Sequence, residues 1–172
     1  MNVQARALEF DVANRVFFRL YQASNLVHKQ GTRSLESFGA TTQQWAVLGA
    51  LARAHVEAVG MTVKQLLGFL ELSRQNLTPV IDRLEARGWI ERVVDETDAR
   101  SRRVRMTAAG RKTWRRMQSP IGAFYAGALQ GLTAAEQDQL GELLGRVKES
   151  LAAMHAGLTA RQSNEGKSPS AL

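Results

Sequence analysis

The sequence predicts a mostly α-helical fold in which two closely connected helices and a short β-hairpin are flanked by long helices on both sides. Apolar residues recur at intervals of three and four over most of the 172 residues, which is the spacing of amphipathic helices. Capping boxes of the form Thr-x-x-Gln/Glu mark three helix starts, at Thr41, Thr62 and Thr133. Between Ile90 and Met106 the spacing changes to the alternation of paired strands.

The first helix is predicted over about residues 6–30, where apolar side chains form a stripe (Leu8, Val12, Val16, Leu20 and Val27). We assign residues 1–40 to an N-terminal dimerisation helix, because the most economical burial of such a stripe is against a second copy of the chain. The alternative is that this helix covers the core of a monomer.

Residues 62–87 read TVKQLLGFLELSRQNLTPVIDRLEAR: a capped helix, a turn at Leu72–Arg74, and a second helix capped by Ser73. This is the pattern of a helix-turn-helix, in which the start of the second helix faces base edges in the major groove. Arginine reads guanine, and glutamine or asparagine reads adenine. The candidate base-reading residues are Arg74, Gln75, Asn76 and Thr78. An ordinary helical hairpin in a protein core has the same pattern, so that alternative stays open at this point.

The hairpin after this unit has one apolar and one basic face, since Val104 and Met106 alternate with Arg103 and Arg105. A helix-turn-helix followed by a basic hairpin predicts a winged helix with a two-stranded β wing. We place Arg100 at the tip of the wing, as the candidate for insertion into the minor groove. The candidate phosphate contacts are Ser73 at the helix start and the wing residues Arg102, Arg103 and Arg105. Residues 41–110 thus form the predicted DNA-binding lobe.

Two further apolar stripes follow the wing. Trp114, Met117, Ile121 and Phe124 form the first, and Leu140, Leu143, Leu144, Val147, Leu151 and Met154 form the second. We assign residues 111–156 to a linker and C-terminal dimerisation helices. From residue 157 (GLTARQSNEGKSPSAL) the apolar period is lost, which predicts a disordered tail over 157–172.

The positive charge is concentrated in one part of the chain. The formal net charge is +7, and residues 73–116 hold 12 Lys and Arg against six Asp and Glu, so the remainder is nearly neutral. A confined basic surface attracts a phosphate backbone through counterion release, although a solvated charged face has the same composition.

Other classes of function find little support in the sequence. There are no cysteines, the three histidines are scattered, and neither a Gly-rich phosphate loop nor a G-x-S-x-G motif is present. We therefore predict no catalytic residues, no metal site and no cofactor. The N-terminus has no apolar signal region, and no apolar stretch is long enough to cross a bilayer, so a cytoplasmic protein is expected.

The segment LSRQNLTPVIDRLEARGWIERVVDETDARSRRVRMTAAGR resembles the DNA-binding core of the MarR (multiple antibiotic resistance regulator) family of bacterial transcription factors. The matching features are the recognition helix that runs into RLEARGWIER, the Asp98-x-Arg100 pair and the Thr107-x-x-Gly110 step. TTQQWAVLGAL resembles the family's second helix, so the likeness covers about residues 8–155. Pro79 departs from many relatives, which carry a basic or polar residue at this turn of the recognition helix.

The resemblance implies a homodimer that binds a pseudo-palindromic operator and releases it when a small ligand binds between the dimer helices and the DNA-binding lobe. Tyr21, Asn25 and His28 share one face of the first helix, and Trp45 is placed to stack on an aromatic ligand, so these four are the candidate effector-binding residues. The implied ligand is a small aromatic carboxylate or a phenolic compound. The alternative is that the four residues serve packing or lie on the surface. Without cysteine, the family's thiol-based peroxide sensing is excluded.

The predicted function is therefore that of a sequence-specific, double-stranded DNA-binding transcriptional regulator, a homodimeric repressor released by a small ligand. Two alternatives stay open. One is an architectural or partner-recruiting winged-helix protein without ligand sensing, and the other is a winged helix that binds RNA.

Overall fold

The computed structural model describes residues 3–95 and 101–165, and within them the side chains of residues 9–95 and 101–157. The described chain contains α1 (Val3–Ser34), a 3₁₀ turn (Glu36–Phe38), α2 (Thr42–Leu51), β1 (Met61–Thr62), α3 (Val63–Leu70), α4 (Arg74–Ala86), β2 (Ile90–Val94), β3 (Arg102–Met106), α5 (Ala108–Leu129) and α6 (Ala134–Glu165). The mostly helical fold with a winged helix-turn-helix is therefore confirmed. No helix in the described ranges is long and apolar enough to span a membrane.

The chain forms two compact units, Met1–Tyr125 and Ala126–Leu172. In the first unit, α2, α3, α4, the strands and α5 all contribute side chains to a hydrophobic core. Its largest fully buried side chains include Leu35, Leu48, Leu51, Leu66, Leu77, Ile81, Leu84, Ile90 and Met117. In the second unit, the apolar residues of α6 remain substantially exposed (Leu140, Leu143, Leu144, Leu151 and Met154).

Local sequence signals set the helix starts as predicted. Thr41 and Thr62 each form a complete capping box, with Gln44 and Gln65 respectively. Ahead of α6, Thr133 accepts a hydrogen bond from the Glu136 amide, and its own amide donates to the Glu136 carboxylate. These bonds from Thr133 to the carboxylate lower the pKa of Glu136.

The wing contains the predicted hairpin and one further strand. β2 and β3 pair antiparallel from Ile90 opposite Met106 to Val94 opposite Arg102. The additional strand β1 pairs with the other edge of β3, so the order is β1-β3-β2. Gly60, just before β1, has a positive φ of 72°, and a Cβ there would lie 2.4 Å from the Val104 carbonyl oxygen. Only glycine fits this close approach, which brings β1 into the sheet.

The helix-turn-helix turn occupies residues 71–73. Glu71 adopts the left-handed conformation at φ 51°, and the Leu72 amide donates to the Leu67 carbonyl at 3.2 Å. Ser73 then caps α4 by accepting from the Asn76 amide. After α4, Gly88 has a φ of 67°, as the left-handed stop of a helix requires.

The two terminal helices are longer than the apolar pattern indicates. α1 runs from Val3 to Ser34, beyond the predicted 6–30. α6 continues to Glu165, so residues 157–165 are helical where the sequence predicted a disordered tail. Once a helix has formed, it can be extended without an apolar face. The end of the apolar stripe therefore did not mark the end of α6. Residues 166–172 lie outside the described chain, and the functional division at residues 40 and 110 stays a prediction.

Gly110 allows α5 to begin directly against the end of the recognition helix. The Thr107 amide donates to the Trp89 carbonyl, and the Thr107 hydroxyl donates to the Gly88 carbonyl at 2.6 Å. The same hydroxyl accepts from the Gly110 amide at 3.0 Å. A Cβ on Gly110 would lie 1.9 Å from the Trp89 carbonyl oxygen, which is far inside van der Waals contact. The Thr107-x-x-Gly110 step is therefore a packing requirement.

We predict that Gly110→Ala lowers the free energy of unfolding by about 1 to 3 kcal/mol, because the new methyl group forces the α5–Trp89 contact apart. Gly122→Ala is the matched control in the same helix, since a Cβ at Gly122 meets nothing within 4 Å. In the control, the free energy of unfolding should rise by up to about 1 kcal/mol, because alanine has a better helix propensity than glycine. Urea unfolding of both variants measures the difference, and equal effects would contradict the packing argument.

Candidate nucleic-acid interface

The recognition helix α4 has one completely apolar buried side and one polar exposed side. Leu77, Val80, Ile81 and Leu84 are at most 4% exposed. The predicted base-reading residues all lie exposed at the first turns of the helix (Arg74, Gln75, Asn76 and Thr78). The helix-turn-helix thus places these four side chains together on one exposed stretch of helix.

Two of the predicted contact residues are also used inside the helix. The Ser73 hydroxyl accepts from the Asn76 amide at 3.3 Å and so acts as the N-cap. The Thr78 hydroxyl donates to the Arg74 carbonyl at 2.9 Å. Its proton is therefore committed to the helix backbone, which leaves the hydroxyl oxygen and the methyl group of Thr78 for contact with a base.

The C-terminal half of α4 is attached to the wing through Arg92. This β2 side chain donates to the carboxylates of Asp82 and Glu85, which lie one turn apart on α4. Arg92 counted toward the basic segment in the sequence, but its charge is balanced by two acids. Its role in this geometry is to hold the recognition helix against the sheet.

The predicted phosphate contacts of the wing differ in what surrounds them. Arg103 pairs with the buried Asp95 at 2.8 Å and donates to the Gly60 carbonyl at 3.0 Å. Arg105 pairs with Glu91 at 2.9 Å. Arg102 is exposed and forms no ion pair with any residue of the described ranges. Arg100, the predicted tip residue, lies outside the described residues.

An apolar cleft lies between α1, α2 and α5 in the first unit, with a volume of about 140 Å³. We call it the aromatic cleft, and its lining residues are Val27, Gly31, Ser34, Leu35, Thr42, Trp45, Ile121, Phe124 and Tyr125. The Trp45 ring packs edge-on to Tyr125 at 5.9 Å between centroids and stacks on Trp114 at 6.2 Å. Partial burial raises the pKa of the Tyr125 phenol.

Trp45 carries an unusual buried group. Its indole Nε1 has no hydrogen-bond partner within the described part of the chain, although the atom is shielded from solvent. A buried donor without an acceptor costs about 1 to 3 kcal/mol, so such groups call for an explanation. Trp45 is also one of the residues that line the aromatic cleft.

The other predicted effector residues do not line the aromatic cleft. Tyr21 is 68% exposed, and Asn25 also lies on the exposed surface of α1. His28 is adjacent to the cleft, because its Nδ1 lies 2.6 Å from the Oγ1 of the lining residue Thr42. Phe124 and Tyr125 of α5 line the cleft but were not among the predicted effector residues. The α5 stripe that ends at Phe124 was the available signal, but it did not indicate which helix it faces.

The described residues contain no cluster of His, Cys, Asp or Glu that could hold a metal ion. A groove of about 720 Å³ beside β3 contains Glu91, Arg105 and Arg111. Its two arginines are oriented toward carboxylates, since Arg105 pairs with Glu91 and Arg111 lies 3.9 Å from Glu57.

Comparisons with known proteins agree on one family. A sequence model described as the MarR family matches residues 38–101. The chain is 52% identical over 122 residues to the transcriptional activatory protein BadR of Rhodopseudomonas palustris, covering 70% of this chain and 69% of BadR. A crystal structure of a probable transcriptional regulator from Pseudomonas aeruginosa is 27% identical, with a TM-score of 0.69 over 79% of this chain and 98% of that one. The fold is shared with the crystal structure of the S. aureus MepR–DNA complex. That protein is 24% identical, with a TM-score of 0.70 over 79% of this chain and 97% of that one.

Pro79 lies inside α4 and provides a test of how this helix is stabilised. Proline has no N–H to donate to the Gln75 carbonyl four residues earlier, which costs a helix interior about 3 kcal/mol. Its rigid ring recovers up to about 1 kcal/mol by restricting the unfolded chain. We therefore predict that Pro79→Ala raises the free energy of unfolding by about 2 kcal/mol, measured by urea unfolding.

Gln75→Ala serves as the control for Pro79→Ala, because it changes an exposed side chain in the same turn and leaves the backbone hydrogen bonds intact. A shift within about 0.5 kcal/mol is expected for this control. Equal or lower stability of Pro79→Ala would show that the packing of α4 depends on the proline ring.

Proposed function

Because the chain belongs to the MarR family of DNA-binding transcriptional regulators, we propose that it acts as a homodimeric repressor that binds a pseudo-palindromic operator and is released by a small aromatic ligand. The observation that carries the ligand-dependent part is the apolar aromatic cleft, whose wall includes Trp45, a residue with an unpartnered indole Nε1.

In this proposal α4 enters the major groove and reads the operator with its exposed first turns. Arg74 and Gln75 provide the forked donors and acceptors that distinguish guanine and adenine, and Asn76 adds a second adenine reader. The methyl group of Thr78 is suited to the methyl group of a thymine. The first-turn amides beside Ser73 attract a phosphate, as helix N-termini do.

The wing serves the phosphate backbone. Among the described residues of the wing, Arg102 is exposed and without an ion pair, which makes it the strongest candidate for a backbone contact. Arg103 and Arg105 remain proposed contacts, but each must share its guanidinium with a carboxylate. Arg100 keeps its proposed place in the minor groove.

Dimerisation is supported by the apolar surface of α1. Its exposed large hydrophobic residues are each at least 50% exposed (Phe10, Val12, Val16, Phe17, Phe18, Tyr21, Leu26 and Val27). The second unit, taken by itself, also leaves apolar residues of α6 exposed. Apolar patches of this size mark interaction sites, and a two-fold related copy presents the same residues in return. A dimer sets two recognition helices about 34 Å apart, one turn of DNA.

The size and chemistry of the aromatic cleft favour a ligand with one aromatic ring. A volume of about 140 Å³ is close to the roughly 150 Å³ of an apolar cavity that binds benzene. The walls provide the rings of Trp45, Phe124 and Tyr125. The Trp45 N–H calls for an acceptor, and a carboxylate or phenolic oxygen on the ring supplies one.

A second candidate is activation of transcription in place of repression. It is favoured by the 52% identical relative, BadR, which is named a transcriptional activatory protein. The direction of regulation depends on where the operator lies relative to a promoter, so a reporter assay with the natural upstream region distinguishes the two.

For DNA recognition, we predict that Arg74→Ala and Gln75→Ala each relax preference at one base position by about 1 to 3 kcal/mol. Arg102→Ala should weaken binding to all duplexes alike and reduce the salt slope by about one unit, since it removes one phosphate contact. Fluorescence anisotropy at several salt concentrations measures both effects. Lys148→Ala, which removes a charge from α6, is the control, and an equal loss in this control would contradict the assignment.

For ligand sensing, we predict that single-ring aromatic acids such as benzoate and 4-hydroxybenzoate raise the melting temperature and weaken operator binding. A ligand at 100 times its Kd stabilises the folded state by about 2.7 kcal/mol. Trp45→Phe keeps a ring but removes the N–H, so the ligand should bind about tenfold more weakly.

Trp114→Phe is the matched control for Trp45→Phe, because Trp114 stacks on Trp45 but does not line the aromatic cleft. Its ligand affinity should stay close to that of the unmodified chain. Absence of stabilisation and of DNA release by a broad panel of such acids would favour the architectural alternative without ligand sensing.

A further inference from the structure

One segment connects the aromatic cleft to the rest of the DNA-binding lobe. We call residues 35–41 the α1–α2 linker, since α1 ends at Ser34 and α2 begins at Thr42. Leu35 at its start lines the cleft, and so does Thr42 directly after its end. Leu35 is 1% exposed and Ala40 is 3% exposed, so both ends of the linker are fixed in the core.

The middle of the linker is held by the last turn of the recognition helix. Arg87, the C-cap residue of α4, donates from Nη1 to the Gly39 carbonyl at 2.7 Å and from Nη2 to the Phe38 carbonyl at 2.6 Å. Its guanidinium lies 3.9 Å from the centre of the Trp89 ring, which orients the fork. A Cβ on Gly39 would lie 3.3 Å from Arg87 Nη2, so the linker and the Arg87 side chain are in close contact.

From this geometry we propose that Arg87 is a positioning residue that couples the aromatic cleft to the recognition helix. The inference rests on the proposed function, because it assigns the route by which a ligand in the cleft changes DNA binding. Opening the cleft separates Leu35 from Thr42 and displaces the linker between them. The paired hydrogen bonds then transmit this displacement to the end of α4.

The shape of the guanidinium explains why arginine is suited to this role. Two parallel N–H donors on a rigid plane grip two successive carbonyls, whereas an ammonium group gives a single point of attachment. With two hydrogen bonds, the linker cannot rotate about the Arg87 guanidinium. A displacement of the linker therefore either moves the end of α4 with it or breaks both hydrogen bonds.

Gly31 offers a way to open the cleft without any ligand. It lines the cleft on α1, and a Cβ there would lie 2.5 Å from the Thr42 Cγ2 atom on α2. Gly31→Ala is therefore a wedge between the two helices. Thr42→Val is a milder change that keeps the side-chain volume but removes the hydroxyl bonds to Thr32 and His28.

The test is a double-mutant cycle of Gly31→Ala with Arg87→Met. The measured quantity is the Kd for one DNA duplex, chosen beforehand by letting the unmodified chain select from a random pool. Arg87→Met keeps an extended side chain but removes both donors. In the unmodified background the wedge should weaken DNA binding by about tenfold, and in the Arg87→Met background by less than about twofold. Thr42→Val should show the same pattern at smaller size, and circular dichroism melting identifies any variant that fails to fold.

Two further variants make the cycle specific. Arg83→Met removes an exposed charge one turn earlier on α4, and in this background the wedge should keep its full tenfold effect within about twofold. Arg87→Lys retains the charge but provides a single donor group, so the wedge should change Kd by an intermediate factor in this background.

The role of Arg87 would be overturned if the wedge changed Kd by the same factor with and without Arg87. It would also be overturned if neither Gly31→Ala nor Thr42→Val changed Kd. Absence of sequence-selective DNA binding by the unmodified chain is a different result, which overturns the proposed function and this inference together.

Discussion

Burial of one side of α4 is the constraint on which the rest of the first unit depends. Leu77, Ile81 and Leu84 are at most 1% exposed, and each such side chain stabilises the fold by about 1.5 to 3 kcal/mol. This packing fixes the rotation of the helix about its own axis. Because the rotation is fixed, the side chains of Arg74 and Gln75 are held on the exposed side of the helix. Without this packing, nothing would determine which way these polar side chains face. The proposed reading of DNA by α4 therefore depends on core packing.

The two ends of α4 are secured by different means. Ser73 caps its start, so the proposed base-reading residues are ordered up to the first turn. Its C-terminal half is held by Arg92 through two carboxylates, and its end contacts the α1–α2 linker through Arg87. Beyond it, the Gly88 and Trp89 carbonyls receive Thr107 at the start of α5. The recognition helix is thus linked to the wing and to all three helices that line the aromatic cleft.

Signals confined to a few neighbouring residues predicted the structure well. The capping boxes at Thr41, Thr62 and Thr133 are all formed, because a cap needs only the first turn of its own helix. Features that join distant parts of the chain were missed. β1 has two residues, too few for a periodic signal, and it depends on the approach of Gly60 to Val104.

The candidate site shows the same division. The four base-reading candidates are exposed together, since one helix places them. Counting charge could not reveal that Arg92, Arg103 and Arg105 are paired with carboxylates on other elements. Helical spacing grouped Tyr21 and Asn25 on one face of α1, but it carries no information about what that face meets. Trp45 lines the aromatic cleft together with Phe124 and Tyr125, which come from α5, about 80 residues later in the chain.

In the proposed dimer, two copies of α4 read duplex DNA in a fixed relative position. This arrangement can be measured by selecting duplexes from a random pool with the full chain and sequencing them. We expect enrichment of an inverted repeat whose half-sites are centred about 10 base pairs apart, one helical turn. Recovery of a single half-site without a symmetric mate, or no enriched sequence at all, would contradict it.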